Sequence, residues 1–236
     1  MFKNYFTIGW RTLIRNKGYS AINIGGLAAG MAVTILISMW IYDELSYNKS
    51  FENYDRIGDV AFHNGDGTNF SNPIPLAWEL RENFSQDLKH VALFTWPQDI
   101  AITSGENKFK SSGTFVEHEF TEIFSPSMIY GTRNALTEPN TILISKSLSI
   151  RMFGNTDPIG QVVRLRDVVD ARIGGVYKDF DANTEFNGLN IIGSWEILLS
   201  WVEWMKESQD RWDNNSHKIF VQLNDGVSFE EISEKN

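Results

Sequence analysis

Hydrophobic positions along this chain change rhythm twice. From Gly18 to Tyr42 no residue carries a formal charge, and between Ala21 and Ile41 only Asn23, Thr34 and Ser38 are clearly polar, with no stripe among them. At about 1.5 Å of rise per residue, a helix from Ala21 to Tyr42 spans roughly 33 Å, close to the ~30 Å hydrocarbon thickness of a bilayer. Ahead of it Phe2, Phe6, Trp10 and Leu13 recur at helical spacing, widened by Tyr5 and Ile14. Lys3, Thr7, Arg11 and Arg15 fall on the opposite side, which predicts an amphipathic helix,.

After Asp43 short alternating runs predict a mixture of strands and short helices. "YNKSFENYDRIG" leads by a helix or turn into a strand "DVAFH", and "NGDGTNFSNP" reads as a loop,. "PIPLAWELRENF" predicts a helix capped by Asn72, with Pro73 or Pro75 in its first turn,. "VALFTW" is a strand, and "DIAITSGENKFKSSG" a hairpin around Ser104-Gly105-Glu106-Asn107,. "EHEFTEIF" is a short helix stopped by Pro126. "TILI" is a strand feeding a helix capped by Ser145 and ended by Gly154,. Asp157-Pro158-Ile159-Gly160 turns into another strand, followed by "ARIGGVYKDF". "SWEILLSWVEWMKESQDRW" is an amphipathic helix, "KIFVQL" a strand, and "VSFEEISEKN" the start of a helix. This mixed order predicts an α+β fold in one domain or two small lobes.

The charge-free run has three candidate identities: a buried core helix, a signal peptide and a retained membrane helix. It lacks the polar face of a globular helix, and it exceeds the ~7–15 apolar residues of a signal peptide. Its far end, "SMWIYDELSY", is bulky and aromatic rather than small, and Trp40 and Tyr42 sit where amphipathic rings favour the headgroup boundary,. A transmembrane helix over 18–42 follows. Charge orients it: residues 1–42 carry +4, so a whole-chain charge of −9 leaves −13 on residues 43–236. Basic flanks stay cytoplasmic, which puts the N-terminus inside and residues 43–236 outside, in a periplasm-like compartment. The cytoplasmic interfacial helix, residues 1–17, uses Phe2, Phe6, Trp10 and Leu13 against lipid, with Arg11, Arg15 and Lys17 beside anionic headgroups,. Within the span Gly26 and Gly30 form a GxxxG overlapped by Gly25 and Ala29 at the same spacing, a face that lets another helix approach closely,.

Catalytic constellations are not evident. No G-x-x-x-x-G-K-[ST] and no G-x-S-x-G occurs, His118-Glu119 lacks a second histidine at zincin spacing, and there is no cysteine,. His63, His90, His118 and His217 are scattered, Asn64–Asn69 lacks the terminal glutamate of a calcium loop, and Gly174-Gly175 suggests turn or packing roles,. Neither a catalytic residue, a metal site nor a cofactor is predicted, and the acidic balance disfavours nucleic acid. Trp195, Trp201 and Trp204 fit core packing at helical spacing, with a ligand groove as the alternative.

"MFKNYFTIGWRTLIRNKGYSAINIGGLAAGMA", "DELSYNKSFENYDRI", "ALTEPNTILISKSLSIRMFGNTDPIGQVVRL" and "WDNNSHKIFVQL" together resemble the opening of MacB/FtsX-type ABC-transporter permeases over nearly the whole chain. The resemblance implies a first transmembrane helix followed by a two-lobed α+β periplasmic core domain, in a dimeric (or pseudo-dimeric) inner-membrane protein working with a cytoplasmic ABC ATPase. ATP hydrolysis would be coupled to periplasmic movement, for export or for mechanical work in the cell envelope. Two departures stand out. Gly58-Asp59 replaces an aromatic-basic pair after "DRI", which would loosen the strand start, and the sequence stops at Asn236, where such permeases continue into further membrane helices. The residues alone also admit a single-pass anchored sensor or ligand-binding module.

Overall fold

The computed structural model describes residues 2–65 and 67–233, and the chain divides into two units, Met1–Tyr47 and Asn48–Asn236. The first unit holds α1 (Phe2–Arg15) and α2 (Lys17–Ser46). They meet at Asn16, whose φ of −112° and ψ of 55° leave the helical basin,. The i→i−4 ladder still passes through this kink: Asn16 N–H donates to the Thr12 carbonyl at 3.2 Å, and Ser20 N–H to that of Asn16 at 2.9 Å. α2 has 30 residues, about 45 Å of helix, and runs a turn past Tyr42, the end of the charge-free run.

The second unit is α+β, as the alternating runs predict. A 3-10 turn (Tyr54–Arg56) enters β1 (Ile57–Asp59), and β2 (Phe62–Asn64) with β3 (Gly67–Asn69) makes a separate hairpin where the composition suggests only a loop. Then follow α3 (Ile74–Asn83), β4 (Leu88–Thr95), β5 (Gln98–Ser104), β6 (Asn107–Val116), α4 (Glu119–Phe124) and β7 (Met128–Gly131). Beyond them come β8 (Thr141–Ser145), α5 (Lys146–Phe153), β9 (Val162–Leu165), β10 (Val169–Tyr177), β11 (Ile191–Ser194), α6 (Trp195–Trp201), α7 (Glu203–Glu207), β12 (His217–Leu223) and α8 (Phe229–Ser233).

Ten of these strands form one sheet, and its pairing gives the two lobes a definite form. β1, β12 and β4 make an open antiparallel limb that reaches β6 through Phe94 opposite Val116. From β6 the pairing runs through β11, β8, β10, β9 and β5 and returns to β6, closing a six-stranded circuit. β4 and β5 follow the same edge of β6 and are separated only by Trp96-Pro97, where the edge turns from the limb into the circuit.

Two cores pack on the sheet, each drawing on limb and circuit alike, with alternate residues of β4 (Val91 and Leu93 against Ala92 and Phe94) falling in different cores. Ile100, Ile102, Phe115, Ile144, Val163, Leu165, Ile173 and Ile191, all buried, belong to one cluster with α3 and α6. The other is aromatic: Phe51, Phe94, Phe120, Phe124, Phe186 and Phe220 pack edge-on or tilted, with Phe124 and Phe186 centroids 4.7 Å apart at 82°. Such edge-to-face pairs add about 0.5–1.5 kcal/mol each beyond the area they bury. This aromatic mass supplies a core that cysteine-free chains must build from side chains alone.

Local signals translate well where the chemistry is explicit. Ser145 Oγ accepts from Leu148 N–H at 3.2 Å, and Gly154 ends α5 at a φ of 61° that suits glycine,. The β5–β6 hairpin turns between Ser104 and Asn107 as expected. Gly174 and Gly175 are packing glycines: a Cβ on Gly175 would lie 2.5 Å from Met128 Cε and 2.9 Å from Leu143 Cδ2. Three readings need correction. Pro73, not Asn72, stands at the start of α3; Asn72 is buried and its amide donates to the Val60 and Phe70 carbonyls. The tryptophan-rich helix is two helices, because Val202 adopts an extended φ of −105° and ψ of 96°. Gly58 does not loosen β1, which pairs with β12 in register; a Cβ there would lie 2.8 Å from the Phe229 ring, so this glycine is the socket for α8.

Candidate functional site

In the first unit α2 buries none of its residues, and it is long and apolar enough to cross a membrane. A globular core helix of that length buries a face. Its hydroxyls are folded back on the backbone: Thr34 Oγ1 donates to the Gly30 carbonyl at 2.9 Å and Ser38 Oγ to that of Thr34 at 2.8 Å. Each donor is thereby satisfied inside the helix, which suits a surrounding without water. Gly25, Gly26, Ala29 and Gly30 lie within an arc of about 140° at 100° per residue. A Cβ built on any of the three glycines meets nothing within 4 Å, so their backbone is open to a neighbour.

On α1, Phe6 and Trp10 are 77% and 58% exposed, with Leu13 on the same side. Arg11 and Arg15 are also exposed, as is Lys17 at the start of α2. The Phe2 side chain lies outside the described residues. Thr12 Oγ1, like the hydroxyls of α2, donates to a carbonyl four residues back, Ile8, at 3.0 Å.

The second unit carries two charged clusters that no sequence signal announces. Lys218, on β12, binds Asp59 at 2.7 Å and Glu185 at 3.7 Å, with Nζ 4.8 Å over the Phe220 ring and 5.3 Å over that of Trp96. Burial pushes both carboxyls above their ordinary range, against the pull of Lys218,. Glu117 receives Arg81 and, at 2.9 Å, the Leu93 N–H, tying α3 to β4; burial raises its carboxyl as well, opposed by Arg81. These clusters hold elements together. Among the described residues no three His, Cys, Asp or Glu side chains gather as metal ligands. His63 contacts Thr68, His118 pairs with Glu119 at 3.2 Å, and His217 is buried at the start of β12. Asp66, within the loop compared with a calcium site, lies outside the described residues. Trp195, Trp201 and Trp204 share a neighbourhood with His217: Trp195 is buried against it at 5.4 Å, whereas Trp204 is 52% exposed.

Comparison with known proteins agrees with this architecture. Residues 20–235 match the family model of the MacB-like periplasmic core domain. No curated protein sequence matches the chain. The fold is similar to a domain assigned to a permease protein from Porphyromonas gingivalis, at 24% identity and a TM-score of 0.62, covering 78% of this chain and 82% of that one. It is also similar to the periplasmic region of MacB from Actinobacillus actinomycetemcomitans, at 15% identity and a TM-score of 0.58, over 76% of this chain and 80% of that one. The extracellular domain of the noncanonical ABC-type transporter YknZ from Gram-positive bacteria matches at 14% identity and a TM-score of 0.54, over 75% and 87%. Identities this low speak to the fold.

Proposed function

Because the chain belongs to the MacB-like periplasmic core domain family, we propose that it is the anchored, moving part of a transport permease, which relays work from a cytoplasmic ABC ATPase into the cell envelope. The family is a permease component rather than a typical enzyme family. In this reading 1–17 is the cytoplasmic interfacial helix, 18–42 the span, and 43–236 the periplasmic domain. Phe6, Trp10 and Leu13 sit in lipid at the inner face, while Arg11, Arg15 and Lys17 meet anionic headgroups. Gly25, Gly26, Ala29 and Gly30 take a neighbouring helix, from the rest of the permease or from a second copy of it.

One observation carries the reading: a 30-residue helix with no buried residue lies, from residue 20 on, within the stretch that matches the family model. Without water or protein around it, such a surface is stable only in lipid. The +4 of residues 1–42 against −13 beyond supports the orientation,. The absence of cysteine makes a direct test practical. Single Lys3→Cys and Asp170→Cys variants are exposed to a membrane-impermeant maleimide on intact inner-membrane spheroplasts. Asp170→Cys should label at once and Lys3→Cys only after permeabilisation; the reverse pattern overturns the orientation. Co-purification of an ATP-hydrolysing subunit with the full permease tests the coupling, and its consistent absence would remove the transport role.

A further inference from the structure

Where the open limb meets the closed circuit lies a cleft of about 430 Å³, within the size range of small-ligand pockets. Trp96, 47% exposed at the β4–β5 bend, forms one wall. Trp201, Trp204 and His217 form others, from the end of α6, from α7 and from the start of β12. Arg166 enters from the β9–β10 turn, its backbone amide held by the Ala101 carbonyl at 2.8 Å. One of its terminal nitrogens donates to Gln98, and its guanidinium lies 5.6 Å over the Trp201 ring.

The cleft is unbalanced in its hydrogen bonding. Arg166 Nε and Trp201 Nε1 are both buried and find no acceptor among the described residues. Trp195 Nε1, behind the His217 ring, is in the same condition. Buried donors in native folds are paired, so two orphans on lining residues of one cleft, with a third behind its wall, call for an explanation,. All three are donors, one belongs to a permanent cation, and no carboxylate lines the cleft. The remaining walls are mainly indole and apolar surface.

From this we infer that the cleft is a binding site for a small organic monocarboxylate with an aromatic or aliphatic body. Both nitrogens are closed to solvent in the unliganded cleft, so binding would turn the Arg166 and Trp201 side chains outward for the carboxylate to accept from Arg166 Nε and Trp201 Nε1, and the body would lie between the Trp96 and Trp204 rings. A cation is opposed by Arg166, a neutral apolar molecule leaves the donors unpaired, and a bare inorganic anion leaves the indole walls unfilled. The inference rests on residues 48–236 alone and does not depend on which way α2 is inserted.

The test uses the full chain in phosphatidylcholine nanodiscs, with ¹⁵N-labelled indoles, and 4-phenylbutyrate as the probe. Saturable movement of the Trp201 and Trp204 indole resonances is expected, with Trp40 on α2 and Trp78 on α3 unmoved. 4-Phenylbutanol, which lacks the charge, should bind about tenfold more weakly. Arg166→Gln should weaken binding about tenfold. Trp201→Phe, which keeps the ring and removes one donor, should weaken it less; it carries the test if Arg166→Gln disturbs the Trp78 resonance and hence the fold. The inference is overturned if the Trp201 resonance stays still up to about 10 mM probe, the weak end of specific binding. Equal binding of acid and alcohol, or affinity unchanged in both variants, overturns it too. So does movement that follows protein concentration rather than probe, since a second copy of the chain would then fill the cleft.

Discussion

On the reading proposed above, the two units of this chain solve the same problem in opposite solvents. In residues 48–236 apolar side chains turn inward, and rings such as Phe94, Phe120 and Phe186 disappear from the surface. In α2 every apolar side chain faces out, and it is the hydroxyls of Thr34 and Ser38 that turn inward, onto the backbone. The lesson is that burial is a relation to the surroundings. A helix uniformly apolar around its circumference and a domain with alternating strands are both fully satisfied, one by lipid and one by itself.

That contrast can be broken from either side. The largest effect is expected for Phe186→Ala, which opens the aromatic core and should cost about 4 kcal/mol of stability. Urea unfolding followed by tryptophan fluorescence should show it, while carbonate extraction still leaves the protein in the membrane pellet. Leu36→Arg attacks the other unit: about 3 kcal/mol of insertion free energy should be lost, shifting the chain toward the carbonate-soluble fraction with the urea midpoint of the domain unchanged. If either variant alters both readouts, the two units are not energetically separate.

Acid sharpens the comparison further. Burial lowers the pKa of His217 from 6.5 to about 4. A depressed folded value means that the native state binds fewer protons, so stability is whole above pH 6.5 and is lost as pH falls towards 4. The loss should approach roughly 3 kcal/mol, read as a falling urea midpoint that flattens in His217→Gln. The raised carboxyls of Asp59, Glu117 and Glu185 have the opposite sign, contributing stability at acid pH that fades as pH rises through their folded values. The His217→Gln variant should therefore be relatively more stable in acid than the unmodified chain. The smallest change is Ser145→Ala, which removes the α5 cap and should cost about 1 kcal/mol by the same urea measurement.

What the sequence made legible was chemistry confined to a few neighbouring residues. A run without charge, a serine three residues before the amide it caps, and a glycine at a left-handed stop each act over one turn. β7 and β11 were not legible, because Met128–Gly131 and Ile191–Ser194 are four-residue strands whose identity comes from partners far away in sequence. The closure of β5 onto β9 is likewise invisible locally, since it depends on Ile102 meeting Leu165 and Thr103 meeting Arg164. The tryptophan cleft was half visible. Trp201 and Trp204 announce themselves at helical spacing, but Trp96 and Arg166 reach them only through the folded sheet, and nothing in the residues around Arg166 marks it. The apolar helix was the most readable feature, since a charge-free run of that length needs no tertiary information to be recognised.

One consequence of the shared strand β6 concerns stiffness. Its first seven residues pair with β5 from Ser104 back to Gln98, and its last four pair with β11. Load applied to the limb would therefore enter the circuit at Phe94 and Val116, at the end of β6, and be shared among the backbone bonds that hold β6 to β5 and β11. On the proposed reading, a domain so braced would tilt as a body before it deformed, which is what a lever requires.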